Sequence, residues 1–199
     1  MFLPTQCPVC RSVGDAPCRR CVAQLAAAPE WRQGPLDHRE LDAVVALFAY
    51  EGVGAKLVTS LKYDNHRDAL AAFGVALGKV VSVAAAELGP VDRVVWVPTT
   101  RRRAGRRGFD QAELLAGVVA RHLRRPCRRL LVRATQTSQT GHGRCERAMV
   151  EFEVIRPTDG RIVLVDDVRT TGASLRAAAG ALRVAGAESV IGATLAARA

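Results

Sequence analysis

The chain has 199 residues and a mass of 21.3 kDa, room for one ordinary domain and a small appendage. Its 49% apolar and 24% charged residues exclude a disordered chain, and aromatics at 5% are too few for broad base-stacking platforms. No uninterrupted apolar run approaches the roughly 18 residues of a membrane helix, and no leader with a cleavage site is evident. A soluble cytoplasmic protein without membrane insertion is expected.

Lys and Arg number 29 against 19 Asp and Glu, a net charge of +10. Residues 1–92 carry a net −1, residues 93–133 a net +10 and residues 134–199 a net +1. The whole excess therefore lies in one stretch, and 26 of the 29 basic residues are Arg. The planar guanidinium suits bidentate phosphate contacts, so a polyanion is the expected partner, either nucleic acid or a di- or triphosphate. A solvated basic face without a partner is the alternative.

In chain order, Cys7, Cys10, Cys18 and Cys21 come first, spaced C-x2-C-x7-C-x2-C. Two such knuckles can wrap one ion tetrahedrally, and residues 1–22 hold too few apolar side chains to form a core without a staple. Structural Zn²⁺ is expected there. Two disulfides are the alternative, which the absence of a secretion signal disfavours. Cys127 and Cys145 lack partners at ligand spacing. Pro29, Gly34 and Pro35 separate this module, residues 1–28, from a main domain over residues 36–199.

The pattern then predicts a strand over Ala43–Tyr50, a short helix over Gly54–Tyr63 and a long Ala-rich helix over Asp68–Leu88. A strand over Arg93–Val97 is halted by Pro98, and Thr99–Gly108 reads as a basic loop. A helix over Phe109–Arg124 and a short strand over Leu130–Arg133 precede a polar, Gly-containing segment, 134–147, with a loop's composition. Arg161–Val165 reads as a buried strand, Ala173–Val184 as a helix and Glu188–Leu195 as a last strand. Alternating strands and helices imply an α/β fold with a mainly parallel sheet flanked by helices.

Chemistry concentrates in Ile162–Ser174, IVLVDDVRTTGAS. A buried strand runs into two carboxylates, then a turn of small and hydroxyl residues opens a helix. Thr170, Thr171, Gly172, Ala173 and Ser174 would present backbone N–H groups and hydroxyls as a phosphate cradle, which Gly172 lets a ligand approach closely. Asp166 and Asp167 can accept from a vicinal diol or hold Mg²⁺. The blander reading makes Thr170 and Ser174 helix caps and the Asp pair a solvated strand end.

This segment resembles the phosphoribosyl-pyrophosphate (PRPP) fingerprint of type I phosphoribosyltransferases. The whole chain resembles the ComF (competence protein F) group, whose members carry an N-terminal double-CxxC zinc ribbon. Phe48–Leu70, with Tyr50, Leu61, Lys62 and Tyr63, then Val97–Leu115 and Thr135–Arg147 match further blocks in family order. The chain departs from the pattern at Thr99–Thr100, His142 and Ala148–Phe152. The resemblance implies a type I phosphoribosyltransferase-like fold with a zinc ribbon, and PRPP with Mg²⁺ as ligand. It implies that Thr170–Ser174 hold the 5-phosphate and that Asp166 and Asp167 lie under the ribose hydroxyls as catalytic residues. Thr99, Thr100 and Arg101 would bind pyrophosphate, and residues 134–147 would close over substrate. Two functions follow. One is phosphoribosyl transfer to an unidentified acceptor with release of pyrophosphate. The other is a DNA-uptake accessory, in which Arg103, Arg106 and Arg107 contact single-stranded DNA or a helicase partner and the PRPP site is regulatory or vestigial.

Overall fold

The computed structural model describes residues 5–27, 40–63, 67–100, 105, 108–134 and 151–198. The Pro29–Pro35 stretch expected to separate two modules, most of the expected basic loop and residues 135–147 of the segment expected to close over substrate lie outside them.

Four strands form the main sheet: β1 (Ala43–Ala49), β2 (Arg93–Trp96), β5 (Arg161–Arg169) and β6 (Ser189–Ala197). Their order is β1-β6-β5-β2 and every pair is parallel. Such a sheet is covered on both faces, so its strands are apolar throughout instead of alternating with polar residues. The RVVW and IVLV runs follow that rule, pairing Val94 with Val163 and Trp96 with Val165. Side chains alternate between the faces. Val94, Trp96, Val163 and Val165 join one core, and Val95, Val97, Ile162 and Leu164 join the other.

The first face is covered by α2 (Gly52–Tyr63), α3 (Arg67–Leu88) and α4 (Gln111–Leu123). Leu70, Phe73, Leu77 and Val81 form the buried stripe of α3, and Phe73 meets Phe48 of β1 edge-on with centroids 5.6 Å apart. Gly74 lets α3 approach α4 closely, since a Cβ there would stand 2.6 Å from that of Val118. The second face is covered by α5 (Ala173–Val184), through Leu175, Ala178, Ala179 and Leu182, and by a small hairpin. At about 1.5–3 kcal/mol for each fully buried Leu, Leu175 and Leu182 are its main anchors.

Two features extend the sequence reading. Ala69–Leu88 averages 1.9 in mean hydropathy, long and apolar enough to cross a membrane, although no uninterrupted apolar run is that long. Its largest apolar side chains are spent on the sheet, as in a core helix. The second feature is the hairpin, β3 (Leu131–Arg133) paired antiparallel with β4 (Phe152–Val154), of which only the first strand was expected. It docks beside α5 through Leu130, Leu131, Phe152 and Val154.

The cysteine module contains one short helix, α1 (Arg19–Val22). It joins the body where Ala27 bridges Phe48 and Ala49 N–H donates to Ala26 O, with Val9 and Leu25 packed against the core.

Candidate functional site

β5 is longer than its composition predicts. Arg161–Val165 was the expected extent, yet pairing with β6 continues through Asp166↔Thr194, Val168↔Ala196 and Arg169↔Ala197. The two carboxylates therefore sit within a hydrogen-bonded strand and not past its end. Asp167 N–H donates to Asp166 Oδ1 at 2.8 Å, which fixes the orientation of the first carboxylate. The chain then turns through Thr170 and Thr171 and enters α5, whose N-cap is Gly172 at φ +75°. A left-handed residue there favours glycine.

The neighbouring strand β2 ends beneath the same opening. After Pro98, Thr99 N–H donates to Asp110 Oδ2 at 2.9 Å. The other oxygen, Oδ1, accepts from Ala112 N–H at 3.1 Å and caps α4. One carboxylate thus ties the Pro98–Thr100 turn to the start of α4. Burial pushes the Asp110 carboxyl above its usual value, and the charge of Asp167 adds to this. N–H groups of Thr99, Ala112 and Glu113 pull the other way.

A cavity of about 230 Å³ opens at this carboxyl edge of the sheet. Thr99, Asp166, Asp167, Thr170 and Ser174 line it, so five residues singled out from the sequence meet in one place. Thr171, Gly172 and Ala173 complete the same turn, and Thr100 follows Thr99. Arg101, Arg103, Arg106 and Arg107 lie outside the described residues, as does His142.

Four further polar lining residues did not emerge as site residues from the sequence: Tyr50 after β1, Asp110, Gln111 and Arg133. Asp110 carried a signal, because D-Q-A-E before an apolar run is an N-terminal capping pattern. Gln111 is 4% exposed, and its Oε1 has no partner among the described residues. Arg133 is delivered by the hairpin, its guanidinium carbon 5.5 Å from the centroid of the Phe152 ring. The pocket thus gathers carboxylates from β5 and α4, hydroxyls and a helix N-terminus from the turn, and a cation from the hairpin. That set can bind a sugar diol or a divalent cation on one side and a phosphate on the other.

The sulfur atoms of Cys7, Cys10, Cys18 and Cys21 all lie within 4.8 Å of one another. Cys10 and Cys18 Sγ are 3.7 Å apart, and Cys18 N–H donates to Cys7 Sγ at 3.5 Å. A tetrahedral site with metal–sulfur bonds of about 2.3 Å puts its sulfurs roughly 3.8 Å apart, so the donor set fits a metal ion such as zinc. Hydrogen bonding with Ser12 lowers the Cys10 thiol to about 6, whereas burial, then neighbouring sulfurs, push Cys21 up to about 12. Cys127 stands apart as a free thiol, raised by burial.

Several known proteins are similar to this chain. The phosphoribosyl transferase domain family matches residues 110–199. "DNA utilization protein YhgH" of Salmonella typhi is 30% identical over 177 residues, covering 85% of this chain and 74% of that protein. The protein of the same name from Escherichia coli K12 is 30% identical over 182 residues, 86% and 74% of the two chains. "Competence protein ComFC" of Bacillus subtilis is 30% identical over 180 residues, 87% and 69%. A solved purine phosphoribosyltransferase from Pyrococcus horikoshii aligns over 58% of this chain and 68% of its own, at 17% identity and a TM-score of 0.31. A score that low carries no weight here.

The Asp110 tie has a measurable consequence. Asp110→Ala should cost about 1–2 kcal/mol from the lost cap. Because its folded-state pKa is raised, the carboxyl contributes most below its ordinary value of 3.8 and loses that contribution as pH rises through the folded value. Denaturant melts should therefore show a larger cost at pH 4 than at pH 7.

Proposed function

This chain belongs to the ComF family of proteins with a phosphoribosyltransferase domain, and from that premise we propose that it binds PRPP with Mg²⁺. We further propose that it transfers the phosphoribosyl group to an acceptor and releases pyrophosphate. The observation that carries this reading is the convergence of the Asp166–Asp167 pair, the Thr170–Ser174 turn and the Pro98–Thr100 turn on one cavity. In transfer, the bond from the sugar C1 to pyrophosphate oxygen breaks and a bond from C1 to the acceptor forms. The bonding electrons leave with pyrophosphate. Positive charge develops on the ribose ring, and negative charge on the departing group.

Each part of the pocket has a task in that step. The turn fixes the 5-phosphate through backbone N–H groups at the start of α5, so the reacting carbon is held at a set distance from β5. Asp166 and Asp167, immobilised by pairing with β6, accept from the ribose hydroxyls and place negative charge near the developing cation. Thr99 and Thr100 bind the pyrophosphate, with the Thr99 end of their turn held by Asp110, and Arg101, which lies outside the described residues, is assigned the same role. The hard carboxylate oxygens of this site suit Mg²⁺, which when bound neutralises the leaving group.

A second reading rests on the family and on charge. The named relatives are DNA utilization and competence proteins, and this chain concentrates its net +10 in residues 93–133. Arg103, Arg106 and Arg107 then contact single-stranded DNA or a helicase partner, beside a PRPP site that is regulatory. In both readings the four N-terminal cysteines hold a structural Zn²⁺ in a small ribbon. A cytoplasmic setting would keep those thiols reduced.

Three measurements test these assignments. In calorimetry with Mg²⁺–PRPP, Asp166→Asn with Asp167→Asn should weaken binding at least about tenfold, as expected for losing charge-assisted hydrogen bonds. Wild-type protein that takes up no heat with PRPP removes the site. Replacing Arg103, Arg106 and Arg107 with Gln should leave PRPP affinity nearly unchanged. It should also flatten the salt dependence of single-strand binding by about 0.7 in log–log slope per lost phosphate contact. An unaltered slope refutes the DNA role of these three residues. Elemental analysis should find about one zinc per chain, and Cys7→Ser should release it while the α/β body stays folded.

A further inference from the structure

A second cavity, of about 370 Å³, lies at the amino edge of the main sheet, at the opposite end of β2 from the pocket. Its walls are Ala85 and Ala86 in the last turns of α3, the Gly89–Val91 link into β2, and Leu123 and Arg125 at the end of α4. The floor is aliphatic, and none of the lining residues is aromatic. Val83, one turn before Ala86 and 68% exposed, extends the apolar surface outward. It belongs to a helix whose apolar window is only 39% buried, so a sizeable apolar face of α3 is left uncovered.

Cations crowd the rim. Arg125 lines the groove, and a Cβ on Gly89 would stand 2.9 Å from Arg161 Cζ, which places that guanidinium against the same wall. His122 packs on Gly78 of α3, one turn before Ser82, another lining residue. Residues 121–129 hold five arginines and no acid, and Arg121, Arg124, Arg125, Arg128 and Arg129 are all exposed. Glu87 and Asp92 adjoin the lining in sequence, and Asp92 Oδ2 already accepts from Arg161 N–H at 2.7 Å. The ion pairs among the described residues are Arg93–Asp159 and Arg183–Asp42, so none of these five arginines, nor Arg161, has a carboxylate partner there. Like charges gathered on one rim repel one another, and an acidic partner relieves that repulsion.

We propose that this groove docks an acidic segment of a partner protein, whose aliphatic side chains seat on the alanine floor while its carboxylates meet the arginine rim. Charge complementarity gives the sign of the partner, and the floor gives its kind. A nucleic-acid strand presents phosphates and flat bases, and bases stack on aromatic side chains, which the lining lacks. An acidic peptide brings carboxylates together with aliphatic groups that suit a wall of Ala, Gly, Pro, Val and Leu. The apolar contacts supply most of the affinity, and the exposed charges set partner choice and the rate of encounter. The groove lies at the amino edge of the sheet and the PRPP pocket at the carboxyl edge, so loss of one leaves the other intact.

The test is fluorescence anisotropy of the full chain with a labelled peptide, two adjacent leucines flanked on each side by three aspartates. Wild type should bind it, and more weakly as salt rises from about 50 to about 300 mM. Replacing both leucines of the peptide with serine should cost about tenfold or more. Replacing its aspartates with lysine should abolish binding. Arg125→Gln combined with Arg161→Gln should weaken binding about fivefold, as expected for two exposed charge pairs. Ala86→Arg discriminates most sharply, since it fills the groove while adding a positive charge at an exposed helical position. It should lose the peptide, whereas a basic surface acting by charge alone would hold it as tightly or more so. Unliganded melting temperatures verify that the variants fold. Wild type that binds no peptide overturns the inference, as does equal binding of the leucine and serine peptides, or a peptide retained by Ala86→Arg. Oligothymidylate or phosphatidylglycerol vesicles bound by wild type and lost by the double Gln variant, with the peptide unbound, overturn it in favour of a nucleic-acid or a lipid surface.

Discussion

The parallel pairing of β5 with β6, carried past the apolar run as far as Arg169↔Ala197, is the constraint on which the site depends. It holds two adjacent carboxylates in extended backbone at the sheet's carboxyl edge. It also fixes where the chain must leave the sheet to enter α5. Had pairing stopped at Val165, both carboxylates and the Thr170–Ser174 turn would belong to an unanchored loop, and their spacing would not be set. Ligands in open α/β sheets bind outside the carboxyl ends of strands for this reason: rigid elements aim flexible chemistry. The cores on both faces, led by Leu164, Leu175 and Leu182 on one side and Val163, Leu77 and Leu115 on the other, keep that edge from shifting.

The pocket lining carries charge of both signs. Asp110, Asp166, Asp167 and Arg133 line the pocket, while Arg169 and Arg176 flank Gly172 at the turn into α5, outside that lining. Each cluster is uncomfortable alone. Burial and Asp167 raise the Asp110 carboxyl, while burial and Arg176 lower the Arg169 guanidinium.

Much of this was legible in the sequence, and the rest was hidden for identifiable reasons. The IVLV run, the hydroxyl-rich turn and the α5 pattern are local signals, and all appear where expected. The extension of β5 through DDVR was missed because polar residues at a strand end look like a loop. Only the partner residues Thr194–Ala197, nearly thirty positions away, keep them paired. The hairpin strand Phe152–Val154 is three residues long, too short for any period to register, so Arg133 could not be placed over the pocket in advance. Tyr50 and Gln111 likewise enter the site through packing of distant segments. The four cysteines needed no such help, since two knuckles specify their own geometry.

If the pocket takes Mg²⁺–PRPP as proposed, one ligand spans the Pro98–Thr100 turn, the Asp166–Asp167 strand and the Thr170–Ser174 turn. Amide hydrogen exchange of the full chain, with and without Mg²⁺–PRPP, tests it most directly. Slowed exchange is expected at Thr99–Thr100 and at Thr170–Leu175, with the interior amides of α3 unchanged. Slowed exchange at only one of the two turns, or none at either under saturating PRPP, would contradict it.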